Sequence, residues 1–281
     1  MRKVIIPTDF SENAMNAIIY AMELFKYDRS DFTIVHAFAD TVYENTMEMS
    51  RTFFEEYKAK VKKGTDKQLE EVLSKMKEVS PNPRHNYEYK SVFGSLVDTV
   101  NDLVNKENAD IVVMGTKGAT DDRDITFGSE TLQVMKYVKC PVLAVPEGYH
   151  DRPPVNILFP TNFMLPYKGR ELKLLSTIAK NFTATINFLH ITNGKTLSFR
   201  QQDNKSFLEC YVDENFVMFN EIVANDLTPA INHFIENNEI NFLVMVNSRH
   251  SYLENIMYTS TIEKIGLKIS IPFLVLQNLP R

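Results

Sequence analysis

Residues 2–9, RKVIIPTD, and residues 155–162, VNILFPTN, spell one element twice. Each is a short β-branched and aliphatic run stopped by proline, then threonine and an Asp or Asn. Such a run reads as a buried strand that ends in a loop. The echo continues downstream. DFTIVHA (31–37) returns within NFTATINFLHI (181–191), with His36 matched by His190. NADIVVMG (108–115) returns as EINFLVMVN (239–247). Met114 maps onto Met245 and Pro141 onto Pro272, both at a spacing of 131, so the loop and helix between them are equally long in both halves. A repeat of this size means duplication of a whole domain, not a solenoid.

Helices and strands alternate between these anchors. Ser11 opens a helix over 12–25, with Ala14, Ala17, Ile18, Ala21, Met22 and Phe25 on one face. A strand at 31–38 precedes a long helical periodicity over 46–79, where Gly64 suggests a break. NYEYKSVF (86–93) alternates as a strand, and Ser95 caps a further helix. Strands at 109–114 and 141–145 flank a helix at 128–138. Helices between buried apolar strands predict a parallel sheet with crossovers. PEGYHDRPP (146–154) is the natural boundary, giving domains 1–148 and 154–281. Segment 195–227 reads as helical or lid-like, and Phe53, Phe54 and Tyr57 as an apolar helical face that covers either the core or a partner.

The bulk numbers fit a globular chain: 44% hydrophobic, 24% charged, net charge -5. A mild acidic balance does not suit a non-specific nucleic-acid binder. Two cysteines, Cys140 and Cys210, form no disulfide framework, and Cys140 is expected inside. The start is too short in apolar residues for a signal peptide, and no run approaches the roughly 18–20 residues of a membrane span. The cytoplasm is the expected location.

The functional signal follows the strand IVVM: Gly115-Thr116-Lys117-Gly118, nine residues, then Gly128-Ser129. Glycines allow the backbone to approach a ligand, and the start of a helix offers outward amides. The spacing has two readings: a phosphate cradle, or ordinary loop glycines with a helix start. It is neither a P-loop nor the dinucleotide fingerprint. Pro7-Thr8-Asp9 ends the first strand on the same side of the sheet. Asp9 either accepts hydrogen bonds from adenine or ribose and helps hold magnesium, or caps the first helix.

PTDFS near the start, His36-Ala37 ending the second strand, the long glycine pattern and the final CPVLAVP together resemble the universal stress protein family. The resemblance runs over nearly the whole chain as two tandem copies. It implies flavodoxin-like (Rossmann-like) α/β domains, each with a mainly parallel five-stranded sheet flanked by helices. It also implies an adenine-nucleotide ligand, ATP, with or without Mg2+. By analogy Pro7, Thr8, Asp9 and the Ala37 backbone line the adenine and ribose end, and Met114 closes one wall. Gly115, Gly118, Gly128, Ser129 and Thr131 hold phosphates. Family members commonly dimerise through the last strand, so a pseudo-dimer of the two halves is expected, with a homodimer as a further option. One departure is Asp121, Asp122 and Asp124 in the intervening loop, where only Arg123 offsets charges that repel phosphate.

The second half loses the cradle. Gly115, Gly118 and Gly128 become Val246, Arg249 and Thr259, Ser129 becomes Ser260, and Asp9 becomes Asn162. Arg249, His250 and Lys264 form either an anion contact or a solvated surface. No HExxH, Cys/His cluster, GxSxG or paired general base stands in the sequence, so no catalytic residue is assigned and at most weak ATP hydrolysis is expected. ATP-dependent stress or signalling function is the leading expectation. The alternative is a nucleotide-independent interaction or chaperone-like protein with a vestigial loop.

Overall fold

The computed structural model describes residues 1–47, 49–118, 127–150, 152–194, 196–212, 217–249, 251–259 and 270–278. The front half runs β1 (Arg2–Pro7), α1 (Glu12–Leu24), β2 (Ser30–Ala37), α2 (Ala39–Thr46), α3 (Arg51–Val79), β3 (His85–Val92), α4 (Leu96–Glu107), β4 (Ile111–Gly115), α5 (Ser129–Tyr137) and β5 (Val142–Val145). The rear half runs β6 (Asn156–Pro160), α6 (Gly169–Phe182), β7 (Thr185–Thr192), α7 (Phe199–Tyr211), β8 (Val217–Val223), α8 (Leu227–Asn237), β9 (Phe242–Asn247), α9 (Tyr252–Thr259) and β10 (Phe273–Gln277).

These strands form one ten-stranded sheet in the order β3-β2-β1-β4-β5-β10-β9-β6-β7-β8. This corrects the expectation of two separate five-stranded sheets. Every neighbouring pair is parallel except β5 and β10, which run antiparallel with Leu143 opposite Leu274. The central strands are buried on both faces, as Ile111, Val112 and Val113 on β4 and Leu274 and Val275 on β10 illustrate. One apolar core therefore continues across the join. The rims are wetter: β8 alternates partly buried and exposed residues.

The strand registers match between the halves. Val4 faces Ile111, while Ile157 faces Phe242; Pro7 faces Val35, while Pro160 faces Leu189. In each half the chain order reverses beside the first strand, between β1 and β4 and between β6 and β9.

Local capping explains the helix starts. Ser11, Ser50 and Ser95 each accept an amide proton from the first turn of α1, α3 and α4. The break expected at Gly64 is not there: α3 begins at Arg51 and runs unbroken through Gly64. Its buried residues are Thr65, Leu69, Val72 and Met76, while Phe53 is 40% exposed, so the Phe53 face is not core. Segment 195–227 contains α7 and the edge strand β8. The rear equivalent of the helix expected at 128–138 falls at 259–269, of which 260–269 lie outside the described residues; the rear chain is helical earlier, as α9.

Candidate functional site

A cleft of about 180 Å³ opens at the carboxyl ends of β1, β2 and β4. It gathers Pro7, Thr8, Asp9, Ala37, Met114, Gly115, Gly118 and Thr131. Open α/β sheets bind ligands at such a reversal of strand order, outside the carboxyl ends of the strands. Gly128 and Ser129 are not among its lining residues. The volume is below the roughly 300–1,000 Å³ usual for small-molecule sites. Segment 119–126, which carries the expected Asp121, Asp122, Arg123 and Asp124, lies outside the described residues.

The β1 end is a hydrogen-bonded turn. The Thr8 hydroxyl accepts the Phe10 amide at 3.0 Å, and Asp9 Oδ1 accepts the Ser11 amide at 3.0 Å and its hydroxyl at 2.6 Å. Ser11 in turn accepts the Ala14 amide at 3.1 Å. Capping thus belongs to Ser11, and Asp9 braces it. Phe10 sits at φ 65° and its ring lies 4.7 Å from that of His36, whose Nδ1 meets the Thr8 carbonyl at 2.7 Å. The rear half repeats the turn but not the serine cap, since Met164 stands at the Ser11 position and no side chain caps α6. Phe163 has φ 55°, Thr161 and Asn162 accept the amides of Phe163 and Met164, and His190 Nδ1 meets the Thr161 carbonyl at 3.1 Å. The two histidines therefore serve the turn in both halves.

The β4 end is built around Gly115. A Cβ there would meet Asn13 Nδ2 at 2.7 Å, and Asn13 Nδ2 donates to the Lys117 carbonyl at 2.8 Å. Helix α1 thereby fixes the path of the glycine loop. Thr131 donates its hydroxyl proton to the Gly115 carbonyl at 3.0 Å, tying α5 to β4. The Gly128 amide donates to the Thr116 carbonyl at 2.8 Å, and no side chain caps α5. The first turn of a helix begins with amides that no earlier turn accepts.

Several lining residues escaped the sequence reading. Asp40 and Thr41 come from α2, and Leu96 from the start of α4. Their signal is topological, since chain leaving β2 and β3 starts on the same side of the sheet. Asp9, Asp40 and Glu130 share the lining with Lys117, so its charged residues are mostly acidic. A larger groove of about 760 Å³ lies between α1 and α3, lined by Phe10, Met15, Ile19 and Val72, and contains none of the expected site residues.

The matching rear space holds only about 10 Å³. Val246 stands at the Gly115 position, and Tyr167 and Tyr252 enter. The Tyr167 hydroxyl pairs with that of Thr161, and burial pushes the Tyr167 phenol up. Tyr252 donates to the Ile191 carbonyl at 2.7 Å and accepts the Ile191 amide at 3.1 Å. Burial pushes its phenol up to about 12, against the opposing backbone hydrogen bond. Ser260 and Lys264, and His250, lie outside the described residues.

A profile of the universal stress protein family matches residues 1–146. The chain belongs to that family. Among curated relatives of this universal stress protein is universal stress protein MJ0531 of Methanocaldococcus jannaschii, 27% identical over 149 residues, covering 51% of this chain and 81% of the relative. A universal stress protein structure from Archaeoglobus fulgidus superposes with a TM-score of 0.66 at 17% identity, over 98% of both chains. A functionally unknown protein of Pseudomonas aeruginosa gives 0.60 at 12% identity, over 99% of this chain and 92% of its own. At these identities the two structures share the fold alone. Among the described residues no helix is long and apolar enough to cross a membrane.

Proposed function

We propose that the front half, residues 1–148, binds an adenine nucleotide, ATP, and that binding sets conformation or assembly in a stress or signalling response. The observation that carries this reading is a contrast within one chain. The front cleft at the strand-order reversal is open and lined by Gly115 and Gly118, while its rear counterpart is filled by side chains. Pro7, Thr8, Asp9, the Ala37 backbone and Met114 take the base and ribose. Gly115, Gly118 and the Gly128-Ser129 start of α5 face the phosphates; Thr131 positions that helix through Gly115. Because three carboxylates, Asp9, Asp40 and Glu130, line the cleft beside one lysine, Lys117, the phosphates enter with Mg2+, which supplies the missing positive charge. The rear half, residues 154–281, is a partner domain, and the β5–β10 contact makes the pair an internal pseudo-dimer.

Titration of the full chain with ATP tests this. Saturable binding is expected, stronger with Mg2+ than without, and weakened at least tenfold in Gly118→Leu. No binding across millimolar ATP would replace it with the nucleotide-independent interaction reading. Fast metal-dependent phosphate release would make the protein an enzyme.

A further inference from the structure

We propose that the rear cleft is a self-occupied site, with Tyr252 taking there the place that a ligand takes in the front cleft. Three observations converge on it. The first is register. Pro7 faces Val35 and Pro160 faces Leu189, so two residues further along Ala37 corresponds to Ile191. Ala37 lines the open front cleft. Ile191 is the residue whose amide and carbonyl are both engaged by the Tyr252 hydroxyl.

The second is chemistry. An amide and a carbonyl on one residue ask for a group that accepts and donates at once. A phenol does both through a single oxygen. Its ring supplies a flat apolar body, and Tyr252 is 7% exposed. The implied occupant is therefore a flat ring bearing a donor-acceptor group, and the chain supplies it covalently.

The third is origin. With the spacing of 131, Tyr252 stands where the front half has Asp121, inside the segment between the glycines. In the front half that stretch reads ATDDRDITF (119–127). The rear half folds it into α9, whose first residue enters the cleft. With Val246 and Tyr167, Tyr252 leaves the rear space at about 10 Å³, against about 180 Å³ in front. A tethered occupant loses no translational freedom on binding, so it is present at any ligand concentration. The rear half is thus held permanently in its filled state, and the chain answers ligand through one cleft only. That last statement rests on the proposed nucleotide site.

Two measurements on the full chain test it. In Tyr252→Ala, 4-methylphenol at millimolar concentration is expected to raise the melting temperature by several degrees, with toluene giving less and the wild type unmoved. A folded Tyr252→Ala protein that 4-methylphenol does not stabilise would overturn self-occupancy. Should Tyr252→Ala fail to fold, Tyr252→Phe keeps the ring and loses the hydroxyl. Its Ile191 amide is expected to exchange hydrogen at least tenfold faster while Phe188 is unchanged, and unchanged Ile191 protection would overturn the proposal. ATP stoichiometry on the wild type separates this claim from the nucleotide reading. One per chain supports both, two overturns self-occupancy, and none removes the nucleotide reading while the phenol result still decides the rear cleft.

Discussion

At the scale of single residues, Gly115 carries two meanings. In the sequence it marks where backbone comes close to an anion. In the fold it also makes room for Asn13, whose amide holds the loop by the Lys117 carbonyl from 104 residues away. Only the first meaning was legible, because the second depends on a neighbour brought in by α1. Gly115→Ala is expected to cost about 1–3 kcal/mol in urea denaturation, since Asn13 must move and its hydrogen bond is lost. His36 and His190 were readable as a matched pair, and the turn they serve is the same in both halves. His85 shows a different residue-scale effect. Burial holds its ring below the ordinary 6.5, against the Phe25 carbonyl bond and the charge of Asp28. Above about pH 6.5 it is neutral folded or unfolded. Below that, the unfolded chain takes a proton that the folded chain resists, so stability falls as pH drops through the folded value. Denaturation of wild type and His85→Gln at pH 7.5, 6.5 and 5.5 checks this; the wild-type advantage should shrink with acid.

Elements were legible where periodicity was strong and capping residues stood in place. α1, α4 and α5 begin at or within a residue of where Ser11, Ser95 and Gly128 put them. Gly64 misled because glycine weakens a helix without having to end it. A Cβ at Gly64 meets nothing within 4 Å, so Gly64→Ala is expected to stabilise by about 0.5–1 kcal/mol, read as a higher melting temperature. The rear counterpart of the glycine segment was read only for its equal length. In the structure residues 252–259 fold as α9. Helix α5 has its own cross-half dependence. Gln277 Nε2 donates to the Met135 carbonyl at 2.8 Å, and Asn247 reaches the same carbonyl and that of Lys136. Both side chains are buried. Gln277→Leu strands buried polar groups and is expected to cost about 1–3 kcal/mol, with a measurable loss of ATP affinity because α5 begins at the glycine loop.

At the scale of the whole molecule, the duplication was readable in the residues and the join only through the family resemblance. Nothing in PVLAV (141–145) itself names its neighbour. The pairing of β5 with β10 supplies it, backed by Tyr149 on the Asn241 carbonyl, Phe127 against Phe273, and Arg170 on Asp110. A protease site placed between His150 and Pro153 tests how much this join holds. After cutting, the fragments should co-elute at micromolar concentration and separate on dilution. The uncut chain has no such escape. Two copies of a one-domain protein that met through these strand edges would part whenever their concentration fell below the dissociation constant. Here the linker turns that meeting into a step within one molecule, so the joined fraction does not depend on protein concentration and persists in a cell that holds only a few copies.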